Sequence, residues 1–408
     1  MTEVNSEKRE PFEVQARQVI SDLKVAFARI QEALPPAVRG TPSRVARHLK
    51  IDNKLSWKVA KLLEKSDPFE AGQYVPGIQA TRGFLKAARR ARVPDPLLER
   101  AERAHRAFQE LIQAHAGSRR SFDLLLSGQT DEVKKQAEME HRKTAFQANS
   151  YFLGVQACMR AKAYILHPSP DPEWYDAVIL NGFIDLCRIR RRVPWRISRT
   201  YSVDDLGRVA EPDREPIDPG GVQGGLPLMR EFCTDPLPTF IPLARGDDTT
   251  SYRLSDGPVG RTASTTIVTG EMLHRAEPRY RREGFRESVI HIKLSTPCEK
   301  LALDLLVHRD LFGENRPRPC LYSDIFTGDR MARPPECDRL ELLEKVENLG
   351  TGLASLPVKE FPSYSEAVLR AMEKPGWNPD EFLLYRMQMK YPPTPTVIFL
   401  HTELPSKP

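Results

Sequence analysis

Basic side chains are concentrated between residues 39 and 65, at a spacing that is suited to binding phosphate groups. Eight Lys or Arg residues occur there against two acids, Asp52 and Glu64, so the segment has a net charge of +6. That value equals the formal net charge of the whole 408-residue chain. Clustered Lys and Arg neutralise phosphates and release their counterions, which gives an affinity that does not depend on base sequence. The eight residues are Arg39, Arg44, Arg47, Lys50, Lys54, Lys58, Lys61 and Lys65.

Two short helices with a tight joint are predicted to position these side chains. Thr41 or Ser43 can cap the first helix, and Asp52-Asn53 is prone to form the turn before the second. Apolar residues recur at helical spacing and give both helices an inner face. The inner residues are Val45, Ala46 and Leu49, then Ile51 in the joint, then Leu55, Val59, Leu62 and Leu63. The residues predicted to lie on or near the outer face of the second helix are Lys54, Ser56, Trp57, Lys58 and Lys61.

Residues 41–65 resemble the helix-turn-helix of winged-helix and related bacterial transcription regulators. The matching residues are Ala46 in the first helix, Ile51 after the turn and Val59 in the second helix. The segment differs at Lys50, where that family often has Gly, and at Ser56, where it prefers an apolar residue. The resemblance implies double-stranded DNA as the partner, with the second helix in the major groove and a homodimer as the binding species.

The resemblance also implies a role for each basic or outward side chain of the pair. Arg44, Lys54, Lys58 and Lys61 are expected to contact phosphates, whereas Ser56 and Trp57 are expected to reach base edges. Trp57 has a second interpretation as a side chain of the core. The predicted DNA-binding set is Arg44, Arg47, Lys54, Ser56, Trp57, Lys58, Lys61 and Lys65. A solvated helix face, or a docking site for an acidic protein or RNA, accounts for the same charge and stays open as an alternative.

A second group of arginines follows an apolar stretch of strand-like composition. Asn181-Gly182 lies between two apolar runs and predicts a β-hairpin. Arg188, Arg190 and Arg192 alternate along the chain, so in a strand they would share one face. We interpret them either as an anion contact or as an exposed strand face that is paired with carboxylates.

No catalytic residue, metal site or cofactor is predicted from short motifs. Residues 308–315, HRDLFGEN, match the protein-kinase catalytic-loop pattern, but the glycine-rich loop and the strand lysine of that family are missing. We therefore interpret His308, Arg309 and Asp310 as a polar turn at a strand end. The six cysteines form no C-x-x-C pair, and the histidines do not pair at metal-ligand spacing. An enzyme of a class that lacks short motifs stays open.

The chain as a whole is predicted to be α+β, with an all-helical N-terminal half and a mixed, strand-rich C-terminal half. We predict a disordered tail at residues 1–10 and a helical domain at 11–168 that contains the helix-turn-helix pair. A mixed domain with long Pro- and Gly-rich loops is predicted at 169–408. A long helix is expected to continue through Phe152 to Leu166. With no apolar run long enough to span a bilayer, we expect a cytoplasmic regulator, without membrane contact, whose C-terminal half binds a small-molecule effector or dimerises.

Overall fold

Helices form the first part of the chain and strands most of the rest, which confirms the predicted α+β class. The computed structural model describes residues 11–128, 131–193, 195–200, 202–203, 209–210, 213–243, 249–325 and 335–408. The predicted disordered tail, residues 1–10, lies outside these described residues. The chain divides into two compact units, Met1–Glu138 and Met139–Pro408, which we call the helical unit and the strand-rich unit.

Amphipathic helices build the helical unit around one apolar core. Residues of the first helix that recur every three or four positions, such as Ile20, Leu23 and Phe27, are fully buried. Phe27 stacks on Phe84 with a centroid distance of 5.4 Å. Within the described residues, no helix is long and apolar enough to cross a membrane. The α-helices of the described residues are α1 (Phe12–Glu32), α2 (Pro42–Leu49), α3 (Asn53–Glu64), α4 (Pro68–Gly72), α5 (Ile78–Arg90), α6 (Asp95–His115), α7 (Arg119–Ser127), α8 (Asp131–Leu153) and α9 (Tyr364–Glu373).

The strand-rich unit is built from long central strands and several short peripheral ones. The predicted strands near residues 262–273, 288–295, 302–308 and 396–404 are confirmed. The strands are β1 (Val155–Pro168), β2 (Trp174–Arg188), β3 (Arg196–Thr200), β4 (Ser202–Val203), β5 (Val209–Ala210), β6 (Asp213–Pro216), β7 (Val222–Gln223), β8 (Leu226–Pro227), β9 (Phe240–Pro242), β10 (Thr249–Leu254), β11 (Thr265–Pro278), β12 (Glu287–Leu294), β13 (Cys298–His308), β14 (Arg318–Ser323), β15 (Arg339–Leu340), β16 (Glu347–Thr351), β17 (Phe382–Lys390) and β18 (Thr396–Glu403).

The largest sheet is mixed and is covered on both faces. Its strand order is β16-β17-β13-β1-β2-β11-β6, with β1 parallel to β13 and antiparallel to β2. Ala161, Ala163 and Ile165 of β1 join the core that includes α9. Tyr164 and Leu166 point the other way and join the core that includes β12, which belongs to a second sheet of order β12-β18-β14-β15. Because both faces are covered, the central strands are apolar along most of their length.

The prediction of a helix from Phe152 to Leu166 is wrong. Helix α8 ends at Leu153, and residues from Val155 onward form β1. Gly154 separates the two elements with a φ of +69°, a conformation that favours Gly. A strand that is buried on both faces has no alternation of apolar and polar residues. The spacing of its apolar residues therefore also fits a helix. The change from helix to strand therefore comes before the predicted domain boundary at residue 168.

The predicted hairpin turn at Asn181-Gly182 is also wrong. Both residues lie inside β2, where Asn181 pairs with Lys162 and Gly182 with Ala161. A Cβ at Gly182 would lie 3.2 Å from the Cδ1 of Ile184 and 3.4 Å from the Ala161 Cβ, so the residue lies in a closely packed part of the strand and not in a turn.

A buried ion pair joins two neighbouring strands of the large sheet. Asp304 of β13 and Arg386 of β17 are direct cross-strand partners. The guanidinium donates from Nε to Oδ1 at 2.7 Å and from Nη2 to Oδ2 at 2.6 Å, and the hydroxyl of Tyr364 donates to Oδ2 at 2.8 Å. Arg386 also donates to the carbonyls of Ser355 and Leu356. Burial raises the pKa of the Asp304 carboxyl, and these donors oppose that shift.

Removing one partner of this pair should destabilise the fold strongly. We expect Arg386→Met to lower the free energy of unfolding by about 3 to 5 kcal/mol, because the Asp304 carboxylate is left buried without a countercharge. Denaturant titration followed by circular dichroism measures the change. The control is Arg386→Met combined with Asp304→Leu, which removes both charges and should recover much of the loss. A double variant that is no more stable than the single one would contradict this account.

Candidate nucleic-acid interface

The joint between α2 and α3 is a left-handed helix end at Lys50. Lys50 has a φ of 52° and a ψ of 50°, a left-handed conformation that is usually supplied by Gly at a helix end. The N–H of Ile51 donates to the carbonyl of Ala46 at 3.0 Å and closes the end of α2. Asp52 then caps α3 by accepting from the N–H of Lys54 at 2.6 Å. Although position 50 is Lys and not Gly, α2 and α3 are still joined by only three residues.

The placement of Ser56 on the outer face is wrong. Ser56 is 1% exposed, and its hydroxyl donates to the carbonyl of Pro42 at 2.7 Å. This contact joins the first turn of α3 to the beginning of α2. Position 56 therefore lies on the inner side of α3, in agreement with the apolar residue that the resembled family prefers there. The Ser56 hydroxyl is tolerated because it is hydrogen-bonded. Ser56 is not available for a base contact.

The outer face of α3 carries Lys54, Trp57 and Lys58, which are all exposed. Trp57 is 48% exposed and touches Tyr74 edge to face, with 5.8 Å between the ring centroids. Trp57 is therefore a surface side chain that contacts Tyr74, and not a side chain of the core. Arg44 and Arg47 are exposed on α2.

Neighbouring carboxylates partly neutralise the second half of the lysine stripe. Lys61 lies 2.8 Å from Glu64, and Lys65 lies 3.0 Å from Glu70. The hydrogen bond from Lys61 lowers the pKa of Glu64, which keeps that carboxylate charged. The positive field of α3 is therefore strongest at its N-terminal half.

The three alternating arginines do not share a strand face, so that prediction is wrong. β2 ends at Arg188, whose side chain is buried and donates to the carbonyl of Ser255. Arg190 lies in the following turn and donates to the carbonyl of Phe152 at the end of α8. Arg192 has a φ of 55° and is exposed. Because β2 ends at Arg188, the alternation of side chains along a strand does not extend to Arg190 and Arg192.

The predicted polar turn after β13 is confirmed. His308 is buried, and its Nδ1 accepts from the N–H of Asp310 at 3.2 Å. Arg309 lies 2.9 Å from Glu381, and the His308 ring packs 4.7 Å from that of His167. Across the described part of the chain, no group of three or more His, Cys, Asp or Glu side chains is arranged to hold a metal ion.

Two buried cations of β1, Arg160 and Lys162, were not singled out from the sequence. Their alternation within an apolar strand, RAK, is the pattern that could have identified them. Arg160 donates to the carbonyl of Gly182 at 2.7 Å and lies over the Phe183 ring. Lys162 donates to the carbonyl of His291 at 2.8 Å, and burial together with the charge of Arg160 lowers its pKa to about 7.

No protein-family model, curated protein or solved structure matches this chain. The helix-turn-helix resemblance therefore rests on residues 41–65 alone. In the structure these residues form α2 and α3, with a left-handed Lys50 between them and Ser56 on the inner side of α3.

The left-handed joint can be tested by comparing two substitutions of equal charge. We expect Lys50→Gly to unfold with a free energy about 1 kcal/mol higher than Lys50→Ala, because only glycine adopts this conformation without steric cost. Denaturant titration of both variants measures the difference. Equal stability of the two variants would contradict a left-handed residue at position 50.

The buried amine of Lys162 should make stability depend on pH above neutrality. Its folded pKa is about 7, and an unfolded lysine titrates near 10.4. Between these values the unfolded chain binds a proton that the folded chain does not, so the free energy of unfolding rises with pH.

We expect Lys162→Met to flatten this rise by up to about 1 kcal/mol per pH unit. The carbonyl of His291 keeps a donor in that variant, because the hydroxyl of Tyr164 also donates to it at 2.9 Å. Denaturation between about pH 7 and pH 10 measures the slope. Lys345→Met, at an exposed position, is the control, and an equal slope in both variants would contradict the shift.

Proposed function

We propose that the α2–α3 pair binds duplex DNA, with the N-terminal half of α3 directed into the major groove. The observation that carries the proposal is the outer face of α3, where Lys54 and Lys58 flank the half-exposed Trp57. Neither lysine forms an ion pair with an acid of the described residues. In helix-turn-helix proteins the first residues of the second helix contact base edges, while the first helix crosses the backbone. Lys54, Trp57 and Lys58 occupy that part of α3.

The structure changes the proposed contact set in three ways. Ser56 is removed because it is buried. Lys61 and Lys65 are assigned weaker roles because each has a carboxylate partner. Phosphate contacts are then assigned to Arg44, Arg47, Lys54 and Lys58, and the groove contact to Trp57.

The biological role that follows is transcription regulation by a cytoplasmic protein. A C-terminal sensor or dimerisation function, a small-molecule effector and a homodimer remain predictions from the resemblance. The six cysteines all carry free thiols, which is compatible with a reducing compartment. An acidic protein that docks on the same lysines is the competing partner, and the experiment below separates the two.

The proposal predicts a salt-dependent affinity that depends on two lysines. Binding of a mixed-sequence duplex of about two helical turns is measured by fluorescence anisotropy between about 50 and 200 mM salt. We expect Lys54→Ala with Lys58→Ala to weaken binding and to reduce the slope of log K against log salt by up to about two, because each lost phosphate contact releases one counterion fewer.

The matched control is Lys345→Ala with Lys359→Ala, which removes two exposed lysines of the strand-rich unit. It changes the net charge equally and should leave the slope unchanged. An identical effect of both double variants would show that only net charge matters. Poly-glutamate that binds as tightly as duplex DNA, with the same loss in the Lys54/Lys58 variant, would assign the face to an acidic protein and overturn the proposal.

A further inference from the structure

An exposed group of aromatic and basic side chains lies at the end of α8. Tyr151, Phe152 and Leu153 are 63%, 72% and 44% exposed, and Ile189 in the turn after β2 is 39% exposed. Large apolar side chains that are exposed next to one another can mark an interaction site, whereas single ones are normal on a surface. Arginines 190–192 complete the group and are all exposed. We call residues 151–153 and 189–192 the aromatic–arginine patch.

The end of α8 is held firmly, so the rings are presented from a rigid support. Asn149 donates from Nδ2 to the carbonyl of Thr394 at 2.8 Å, and Phe146 packs against Tyr391 with 5.3 Å between centroids. Arg142 forms a nearly buried ion pair with Glu344. These contacts fix the last turns of α8 on the strand-rich unit, so Tyr151 and Phe152 are exposed although their helix is anchored.

The turn that carries the arginines is fixed against the same helix end. The N–H of Ile189 donates to the carbonyl of Gly154 at 2.8 Å. Arg190 donates to the carbonyl of Phe152 and lies over the Tyr151 ring, 5.7 Å from its centroid. A Cβ at Gly154 would lie only 2.5 Å from a methyl group of Val193, so this packing requires the glycine. Arg190 is used to hold the patch together, whereas Arg191 and Arg192 remain exposed.

Exposed rings beside exposed guanidinium groups fit one kind of ligand best. Unpaired nucleotides offer flat bases that stack on aromatic rings and phosphates that attract arginines. A second copy of the chain is disfavoured, because the patch contains no carboxylate that could pair with the arginines of the other copy in a two-fold contact. An acidic peptide would use the arginines but would leave the rings without a partner.

We propose that the aromatic–arginine patch binds single-stranded nucleic acid, with bases on Tyr151 and Phe152 and phosphates on Arg191 and Arg192. This site does not rest on the proposed duplex binding by α2 and α3, since it uses other residues and the other unit. Recognition by stacking tolerates any base, so little sequence preference is expected.

The test is binding of a labelled oligothymidylate of about 16 nucleotides, measured by anisotropy with the full chain. Tyr151→Ala with Phe152→Ala should weaken binding by about tenfold or more, because stacking on both rings is lost. The exchange Tyr151→Phe with Phe152→Tyr keeps two rings and should keep the affinity. Arg191→Gln with Arg192→Asn should reduce both the affinity and its salt dependence.

The two proposals fail separately in this design. Lys54→Ala with Lys58→Ala should leave oligothymidylate binding unchanged, and the ring-to-alanine variant should keep its duplex affinity and its circular dichroism spectrum. Absence of oligothymidylate binding, or equal binding by the ring-to-alanine variant, would overturn the patch proposal. Ring-dependent sedimentation with phosphatidylserine vesicles, without ring-dependent oligonucleotide binding, would assign the patch to a membrane surface and also overturn it.

Discussion

The ion pair between Asp304 and Arg386 organises the strand-rich unit, because it lies where neither charge can be hydrated. It joins two neighbouring strands of the large sheet in register, and the hydroxyl of Tyr364 adds α9 to the same carboxylate. Arg386 also binds the carbonyls of Ser355 and Leu356, which holds the segment before α9. An intact buried pair of this kind adds little net stability, because the desolvation of both charges offsets their attraction, whereas the loss of one partner is costly. In the structure the two strands, α9 and the connecting segment all bond to this pair.

The two basic segments of the sequence have different structural roles. On α3, Lys54 and Lys58 lie on an outer face and form no ion pair with a described acid, so their charge is available to a polyanion. At the end of β2 and just after it, two arginines donate to backbone carbonyls: Arg188, which is buried, and Arg190, which is exposed and binds the end of α8. Basic residues are denser in the second segment, with six arginines in residues 188–199 against eight Lys or Arg residues in 39–65. Whether a charge is available to a ligand depends on neighbouring backbone carbonyls, which accept hydrogen bonds from Arg188 and Arg190.

Secondary structure was predictable where one face of a helix or strand is buried and the other is exposed to solvent. The pair α2–α3 and strands such as β12 have that pattern, since the apolar residues recur at one clear period. The prediction failed at β1, whose residues are buried on both faces and whose period is hidden. Asn181-Gly182 failed for a related reason, because the two residues lie inside a long strand although their types are typical of a turn. The best local marker of the helix end was Gly154.

The sequence by itself determined the fold class, the helical pair and its net positive charge, because these depend on local spacing and composition. It also located the joint, although the left-handed state of Lys50 and the inner position of Ser56 appear only in the folded chain. Only the tertiary structure decided which charges are available and which rings are exposed. Residues distant in sequence, such as Phe152 and Arg190, are brought together by packing, and their exposure depends on contacts that no local pattern encodes.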